Sequence, residues 1–158
     1  MESFEVNKHT SLARLLGQTE YLDRLAKLST QDRRTAFSEY LVADEPLELR
    51  GSQTLAPKAV ESAMRIFTAR AANGELERQF SEEARSVFYG ENEFVVWSTS
   101  LESFLQGNYG ETSSIPVSEL VRVVTLKIVS PEGHSGHIAQ VLRKTHQFTA
   151  IKRLSIVL

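Results

Sequence analysis

The side chains best suited to metal chemistry lie in one short histidine-rich segment. His134 and His137 are three residues apart, and their imidazole nitrogens are common zinc ligands. A structural zinc site normally needs four ligands, and no cysteine or acidic side chain accompanies the two histidines at a suitable spacing. We therefore predict a solvated turn here and no metal site.

The same segment has the form of a loop that could hold a phosphate group. Residues 132–136 follow a predicted strand and open a predicted helix, where backbone N–H groups attract anions. The segment lacks the lysine-serine ending of a P-loop and the third glycine of a dinucleotide-binding loop. A plain strand-to-helix turn is the favoured interpretation, so we predict no cofactor.

The sequence contains no arrangement of residues that is typical of acid–base or nucleophilic catalysis. Glu82 and Glu83 are adjacent in sequence, as are Asp44 and Glu45, so the members of each pair diverge on a helix instead of converging on a substrate. The chain also lacks the Gly-x-Ser-x-Gly sequence of a serine nucleophile held at a strained turn. We predict no catalytic residue.

Binding residues are easier to nominate than catalytic ones. Residues 120–158 carry six Lys or Arg and one acidic residue, although the whole chain has a net charge of −2. A nucleic-acid footprint is one interpretation of this basic region, and a solvated helix face with a strand edge is the favoured one. Tyr89, in an aromatic-rich corner, is a candidate interface anchor if it is exposed. The candidate interaction residues are Tyr89, Arg143, Lys144, Arg153 and Leu154.

These candidates must be positioned by helices in the first part of the chain. Leucines at 22, 25 and 28 share one helical face, and Ser29 to Asp32 supply a start for a helix that ends near Ala43. The clearest helical spacing begins at Leu76, and Gly90 is expected to close that helix in the left-handed conformation. The intervening stretch from Asp44 to Leu55 is predicted as a connection.

The last part of the chain predicts alternating strands and helices. Residues 93–98, 121–129 and 151–158 are β-rich, and helical segments separate them. We expect an α+β or α/β fold: a helical N-terminal part packed on a small, mainly parallel three-stranded β/α unit of leucine-rich-repeat-like character. Residues 1–158 are predicted to form a single domain, with 1–90 mainly helical and 91–158 as the β/α unit. The last strand lies inside the sheet, continues into a longer chain, or is covered by a partner.

Composition indicates the cellular compartment in which the protein is expected. The 158 residues include no cysteine, which excludes disulfides and thiolate metal sites and favours a reducing compartment. The longest apolar runs fall far short of a bilayer span, and the first eight residues show no signal peptide. We expect a soluble cytoplasmic or nuclear protein that is not bound to a membrane.

One stretch resembles a known family. Residues 78–94, Arg-Gln-Phe-Ser-Glu-Glu-Ala-Arg-Ser-Val-Phe-Tyr-Gly-Glu-Asn-Glu-Phe, resemble a pattern found in fungal F-box-like domain proteins. In that family the pattern is followed by strands similar to residues 120–126 and 151–156 of this chain. Residues 46–50 partly match the family's N-terminal Glu-Leu-Arg segment. The resemblance covers 76–158 and, faintly, 44–50. It implies a protein-interaction module, a fungal origin and, for an effector, secretion and action inside host cells.

The leading hypothesis is therefore a non-catalytic protein–protein interaction module, with a protein partner and with an exposed apolar patch near Leu154 to Leu158. One alternative is a small ligand-binding or enzymatic α/β domain that uses the loops at the carboxyl ends of the strands. Those loops are residues 98–100, residues 130–137 and the segment before Pro116. The other alternative is nucleic-acid binding through the basic C-terminal region, which predicts a steep salt dependence.

Overall fold

A computed structural model describes residues 20–50, 53–55, 64–65, 67–69, 71–107, 115–129 and 135–158. Contacts divide the chain into two units, Met1–Ala43 with Pro57–Phe88, and Asp44–Ala56 with Tyr89–Leu158. The first unit is helical and the second contains the sheet, so the predicted α+β or α/β class is confirmed. The single domain stays a prediction. Residues 132–134 of the predicted strand-to-helix turn lie outside the described residues.

The first unit contains α1 (Tyr21–Ala26), α2 (Thr30–Leu41) and most of α3 (Glu75–Glu91), and residues 64–65 and 67–69 are also helical. Helix α2 begins where the sequence predicts, because the Ser29 hydroxyl accepts a hydrogen bond from the Asp32 backbone N–H at 3.1 Å. The core includes Phe37 and Phe67, whose rings meet edge to face with centroids 5.3 Å apart.

A buried ion pair joins α2 to α3 within this unit. Arg33 donates to both carboxylate oxygens of Glu83, from Nε at 2.7 Å and from Nη2 at 2.8 Å. Its Nη1 donates to the Leu28 carbonyl at 2.7 Å, and its guanidinium carbon lies 4.9 Å from the centre of the Phe80 ring. The Arg33 side chain is 7% exposed and that of Glu83 is 19% exposed. The hydrogen bonds from Arg33 lower the pKa of Glu83, and those to Glu83 raise the pKa of Arg33.

The second unit is built on a five-stranded sheet in the order β2-β1-β3-β4-β5. Strand β2 is antiparallel to β1, and β1, β3, β4 and β5 are mutually parallel. The strands are β1 (Leu47–Arg50), β2 (Gln53–Leu55), β3 (Glu93–Trp97), β4 (Val123–Lys127) and β5 (Arg153–Val157). A 3₁₀ turn (Ser98–Ser100), α4 (Leu101–Gln106) and α5 (Val117–Leu120) connect β3 to β4, and α6 (Ser135–Thr145) connects β4 to β5.

The sheet holds two more strands than the three that the sequence predicts. Both extra strands lie in the stretch from Asp44 to Leu55, which was predicted as a connection. Each has only three or four residues, too few for a period to stand out, and Pro46 and Gly51 beside them are typical of turns. Residues 47–49 form a strand because they pair with β3. This pairing supplies hydrogen-bond partners for backbone N–H and C=O groups, which nearby residues in the sequence do not supply.

Gly90 departs from the sequence expectation. Helix α3 continues through Gly90 to Glu91, and Gly90 is not among the described residues with positive φ. The chain passes from helix to strand through Asn92 alone, so no left-handed residue is needed to turn it. Gly107, by contrast, has φ 89° directly after α4 and ends that helix.

Candidate interaction surface

The register of the sheet sorts its side chains onto two faces. Leu47, Phe94, Val124 and Leu154 stand opposite one another on β1, β3, β4 and β5, and alternation along each strand puts every second residue on the same face. On the central strands this face is fully buried. Its buried members are Leu47, Leu49, Phe94, Val96, Val124 and Leu126.

The opposite face, here called the open face, is solvent-accessible along its whole described length. None of the residues that the structure describes on it is buried. It combines charged, apolar and aromatic side chains. Its members are Glu48, Arg50, Glu93, Val95, Trp97, Val123, Thr125, Lys127, Arg153, Ser155 and Val157.

Topology explains why one face is left open. The crossovers from β3 to β4 and from β4 to β5 each move to the next strand in the same direction. Right-handed crossovers that advance in one direction place their connecting helices on one side of the sheet. Parallel strands are usually covered on both faces, so a solvent-accessible face of a parallel sheet is unusual.

Trp97 is the last residue of β3 and lies at the carboxyl-terminal end of the open face. Its indole N–H donates to the Glu48 carboxylate, with Nε1 and Oε1 2.6 Å apart. The guanidinium carbon of Arg50 lies 4.4 Å from the indole centre, and Nζ of Lys127 lies 5.4 Å from it. Lys127 also approaches Glu48, with 3.8 Å between Nζ and Oε1. These four residues, the Trp97 cluster, come from three adjacent strands and hold the indole in one orientation.

A second ion pair lies at one end of the open face. Arg153 of β5 donates to Glu93 of β3 at 2.7 Å across the intervening strand β4, and the two side chains are 59% and 50% exposed. Arg153 is the one sequence-predicted interaction residue that the register puts on this face. Because it is paired with a carboxylate, its charge is partly balanced within the surface.

Tyr89 does not meet the condition set for it as an interface anchor. It was a candidate if it is exposed, and it is only 1% exposed. Its ring stacks on Phe94 with centroids 5.8 Å apart and meets Phe104 at 6.2 Å. The last turn of α3 directs Tyr89 into the core of the sheet unit, where an aromatic side chain contributes more through burial than through binding.

The remaining predicted residues do not share a surface with the Trp97 cluster. Arg143 is exposed on α6, and Lys144 of the same helix forms an ion pair with Glu102 of α4, which lowers the pKa of Glu102. Leu154 is half-buried on the covered face of the sheet. The basic candidates Arg143 and Lys144 thus lie together on α6, and Arg153 lies on the open face of the sheet.

Sequence reasoning missed Trp97, Arg50 and Lys127. Apolar residues fill the run that ends at Trp97, which is typical of a strand covered on both faces. The signal that could have revealed the open face lies in the neighbouring strand. Thr125 and Lys127 alternate there with buried residues, which is the pattern of a strand with one solvated face.

The loops at the carboxyl ends of the strands offer little support for a ligand site. Ser98 is buried, and its hydroxyl accepts a hydrogen bond from the Val129 backbone N–H at 3.2 Å, so it braces the end of β4. His134 lies outside the described residues. Within the described ranges, no group of three His, Asp or Glu side chains is placed to hold a metal ion.

A small cleft between α4 and α6 is lined by polar and apolar side chains. Its volume is about 160 Å³, below the roughly 300–1,000 Å³ of common small-molecule sites. Its lining residues are Glu102, Leu105, Gln106, Lys144 and Gln147. No helix in the described part of the chain has the length and apolarity to span a bilayer.

Comparisons with protein-family models, with curated proteins and with solved structures find no match for this chain. The resemblance to fungal F-box-like proteins accordingly stays a prediction. The open face and its side chains are the basis on which a function can be proposed.

Proposed function

We propose that this protein is a non-catalytic protein–protein interaction module that binds its partner on the open face of the sheet. One observation carries the proposal: four parallel strands present a face on which no described residue is buried, and the central strand β3 ends in an oriented tryptophan. Tryptophan and arginine are the side chains that most often dominate binding energy at protein interfaces.

The Trp97 cluster indicates what the partner must present. The face is neither strongly acidic nor strongly basic, because Glu48 and Glu93 lie beside Lys127 and Arg153. Such mixed charge favours a protein surface over a polyanion, which would require a predominantly positive face. We expect an apolar partner side chain against Trp97 and a carboxylate near the exposed guanidinium of Arg50.

The predicted leucine-rich-repeat-like character agrees with this location. Repeat proteins of that class bind partners on the exposed face of a parallel sheet whose helices lie on the other side. An F-box-like identity, a fungal origin and an effector role rest on the sequence resemblance alone. Binding by the open face does not depend on any of them.

The test uses peptides selected from a displayed random library on the purified chain. Bound peptide should protect β1, β3 and β4 from amide hydrogen exchange, and Arg50→Glu and Trp97→Ala should each weaken binding. A loss of at least 2 kcal/mol, about 30-fold in Kd, is expected for Trp97→Ala if it is the main anchor.

Arg143→Glu is the matched control for Arg50→Glu. It reverses the charge of another exposed arginine, on α6 and outside the open face, so it should leave Kd unchanged within about twofold. The proposal is wrong if no selected peptide distinguishes Arg50→Glu from Arg143→Glu. It is also wrong if the protected amides lie in the helices and not in the strands.

A further inference from the structure

Strand β5 lies at one edge of the sheet that the structure describes. It pairs with β4 on one side, and Ile156, Val157 and Leu158 are 44%, 48% and 85% exposed. Natural edge strands usually carry charges, prolines or bulges that prevent pairing with another strand. Residues 154–158, Leu-Ser-Ile-Val-Leu, contain no charged residue and no proline.

The backbone of this edge is oriented for a further strand. The Ile128 N–H donates to the Val157 carbonyl at 2.8 Å, and the Arg153 N–H donates to the Arg122 carbonyl at 3.0 Å. Residues in a parallel ladder direct their backbone groups to alternate sides, so residues 153, 155 and 157 face β4. The N–H and C=O groups of Leu154 and Ile156 therefore point away from β4, toward the edge.

We propose that the strand pairing with β5 is β5 of a second copy of this chain, antiparallel and centred on Ile156. A two-fold axis through this point sets Ile156 opposite its own copy, Leu154 opposite the copy's Leu158, and Ser155 opposite the copy's Val157. The five residues are thus self-complementary, as an interface between identical surfaces must be. The outward backbone groups at 154, 156 and 158 are those that an antiparallel ladder would pair.

Charge is compatible with this register. In this register the Lys152 and Arg153 residues of the two copies lie at opposite ends of the joined strands, so neither faces its own copy. Arg153 also keeps its partner Glu93 within its own chain. A centre at Leu154 would instead set Lys152 opposite the copy's Ile156 and Arg153 opposite the copy's Ser155.

The pairing would make one ten-stranded sheet from two copies. Residues directly opposite in an antiparallel pair lie on the same face, so both open faces would lie on one side of the joined sheet. Two Trp97 clusters would then face the same direction and could engage a repeated or dimeric partner with increased avidity. The inference rests on β5 alone and stands whether or not the open face binds a protein.

The absence of cysteine allows a direct test of the register. Residues opposite each other in a hydrogen-bonded antiparallel pair have Cα atoms about 5.5 Å apart, within the range that a disulfide spans. Ile156→Cys should therefore form a covalent dimer under mild oxidation, seen on a non-reducing gel. Ser155→Cys is the control, because its Cα would be roughly 8 Å from its copy and too distant to bridge.

Sedimentation velocity of the wild-type chain supplies the second measurement. The expected species has twice the 17.7 kDa chain mass, and Ile156→Pro should return it to the monomer. Proline at 156 removes an N–H that points to the edge and leaves the ladder to β4 intact, so the circular dichroism spectrum should not change. A wild-type chain that stays monomeric at high concentration overturns the proposal, as does equal cross-linking of the two cysteine variants.

Discussion

Replacing Glu83 with glutamine should destabilise the protein strongly, although the two side chains have nearly the same shape. The substitution removes the charge that compensates Arg33, whose side chain is 7% exposed. It also sets an amide NH₂ group against guanidinium N–H groups, so one of the two bonds at 2.7 and 2.8 Å must be lost. Leaving a buried charge without its partner costs about 3–5 kcal/mol.

That cost is a large share of the total stability of a domain, which is about 5–15 kcal/mol. For a chain of this length, each kcal/mol shifts Tm by about 2–4 °C, so Glu83→Gln should lower Tm by at least about 6 °C. Circular dichroism of wild type and variant, in urea and on heating at pH 7, measures the change.

The same substitution on the same helix supplies the control. Glu75 pairs with Arg78 on the surface, where the side chains are 82% and 59% exposed, and such pairs contribute less than about 1 kcal/mol. Glu75→Gln should therefore leave the free energy of unfolding almost unchanged. If the two variants lose the same stability, the buried pair contributes nothing special and the reasoning is refuted.

The pH dependence gives an independent check on the same pair. Arg33 lowers the pKa of Glu83 in the folded state, so this stabilisation is present above the unfolded carboxyl value of about 4 and is lost as the pH falls through the lowered folded value. Glu83→Gln should remove that part of the acid sensitivity. A variant whose stability falls between pH 5 and 2 as steeply as the wild type would contradict the assignment.

Two further predictions test corrections that the structure makes to the sequence. Tyr89→Ala should cost about 3–5 kcal/mol in urea unfolding because it empties a buried aromatic site, and a loss below about 1 kcal/mol would mean that Tyr89 is exposed in solution. Gly90→Ala should stabilise α3 by up to about 1 kcal/mol, since its added Cβ meets only the Leu120 carbonyl at an ordinary 3.6 Å. Gly107→Ala should instead destabilise by about 1–2 kcal/mol because φ is 89° there, and thermal unfolding of the two alanine variants should shift in opposite directions.

Local chemistry was enough to predict much of the fold. Ser29 caps α2 because its hydroxyl accepts a hydrogen bond from the Asp32 backbone N–H at the start of the helix. The two residues lie within one four-residue segment, so the cap can be predicted from the local sequence. Gly107 ends α4 for a similar reason, since a glycine tolerates the positive φ that stops a helix. The three longer strands were also predictable, because each carries β-rich residues between recognisable turns.

The candidate site was far less predictable. Trp97 ends an apolar run. Nothing in that run distinguishes a strand that is covered on both faces from a strand that is covered on one face only. Arg50 and Lys127 lie 47 and 30 residues from Trp97 in sequence, so their approach to the indole depends on strand order and register. Tyr89 was misplaced because its exposure depends on the direction of the last turn of α3 relative to the sheet strands.

The sequence by itself determined the start of α2, the three longer strands and the absence of thiol chemistry, because these follow from interactions among near neighbours or from composition. Only the tertiary structure decided that β1 joins the sheet, that the strands advance in one direction and leave a face open, and that β5 is an edge. Each of those outcomes depends on backbone pairing between segments far apart in the chain, and backbone groups carry no sequence signature.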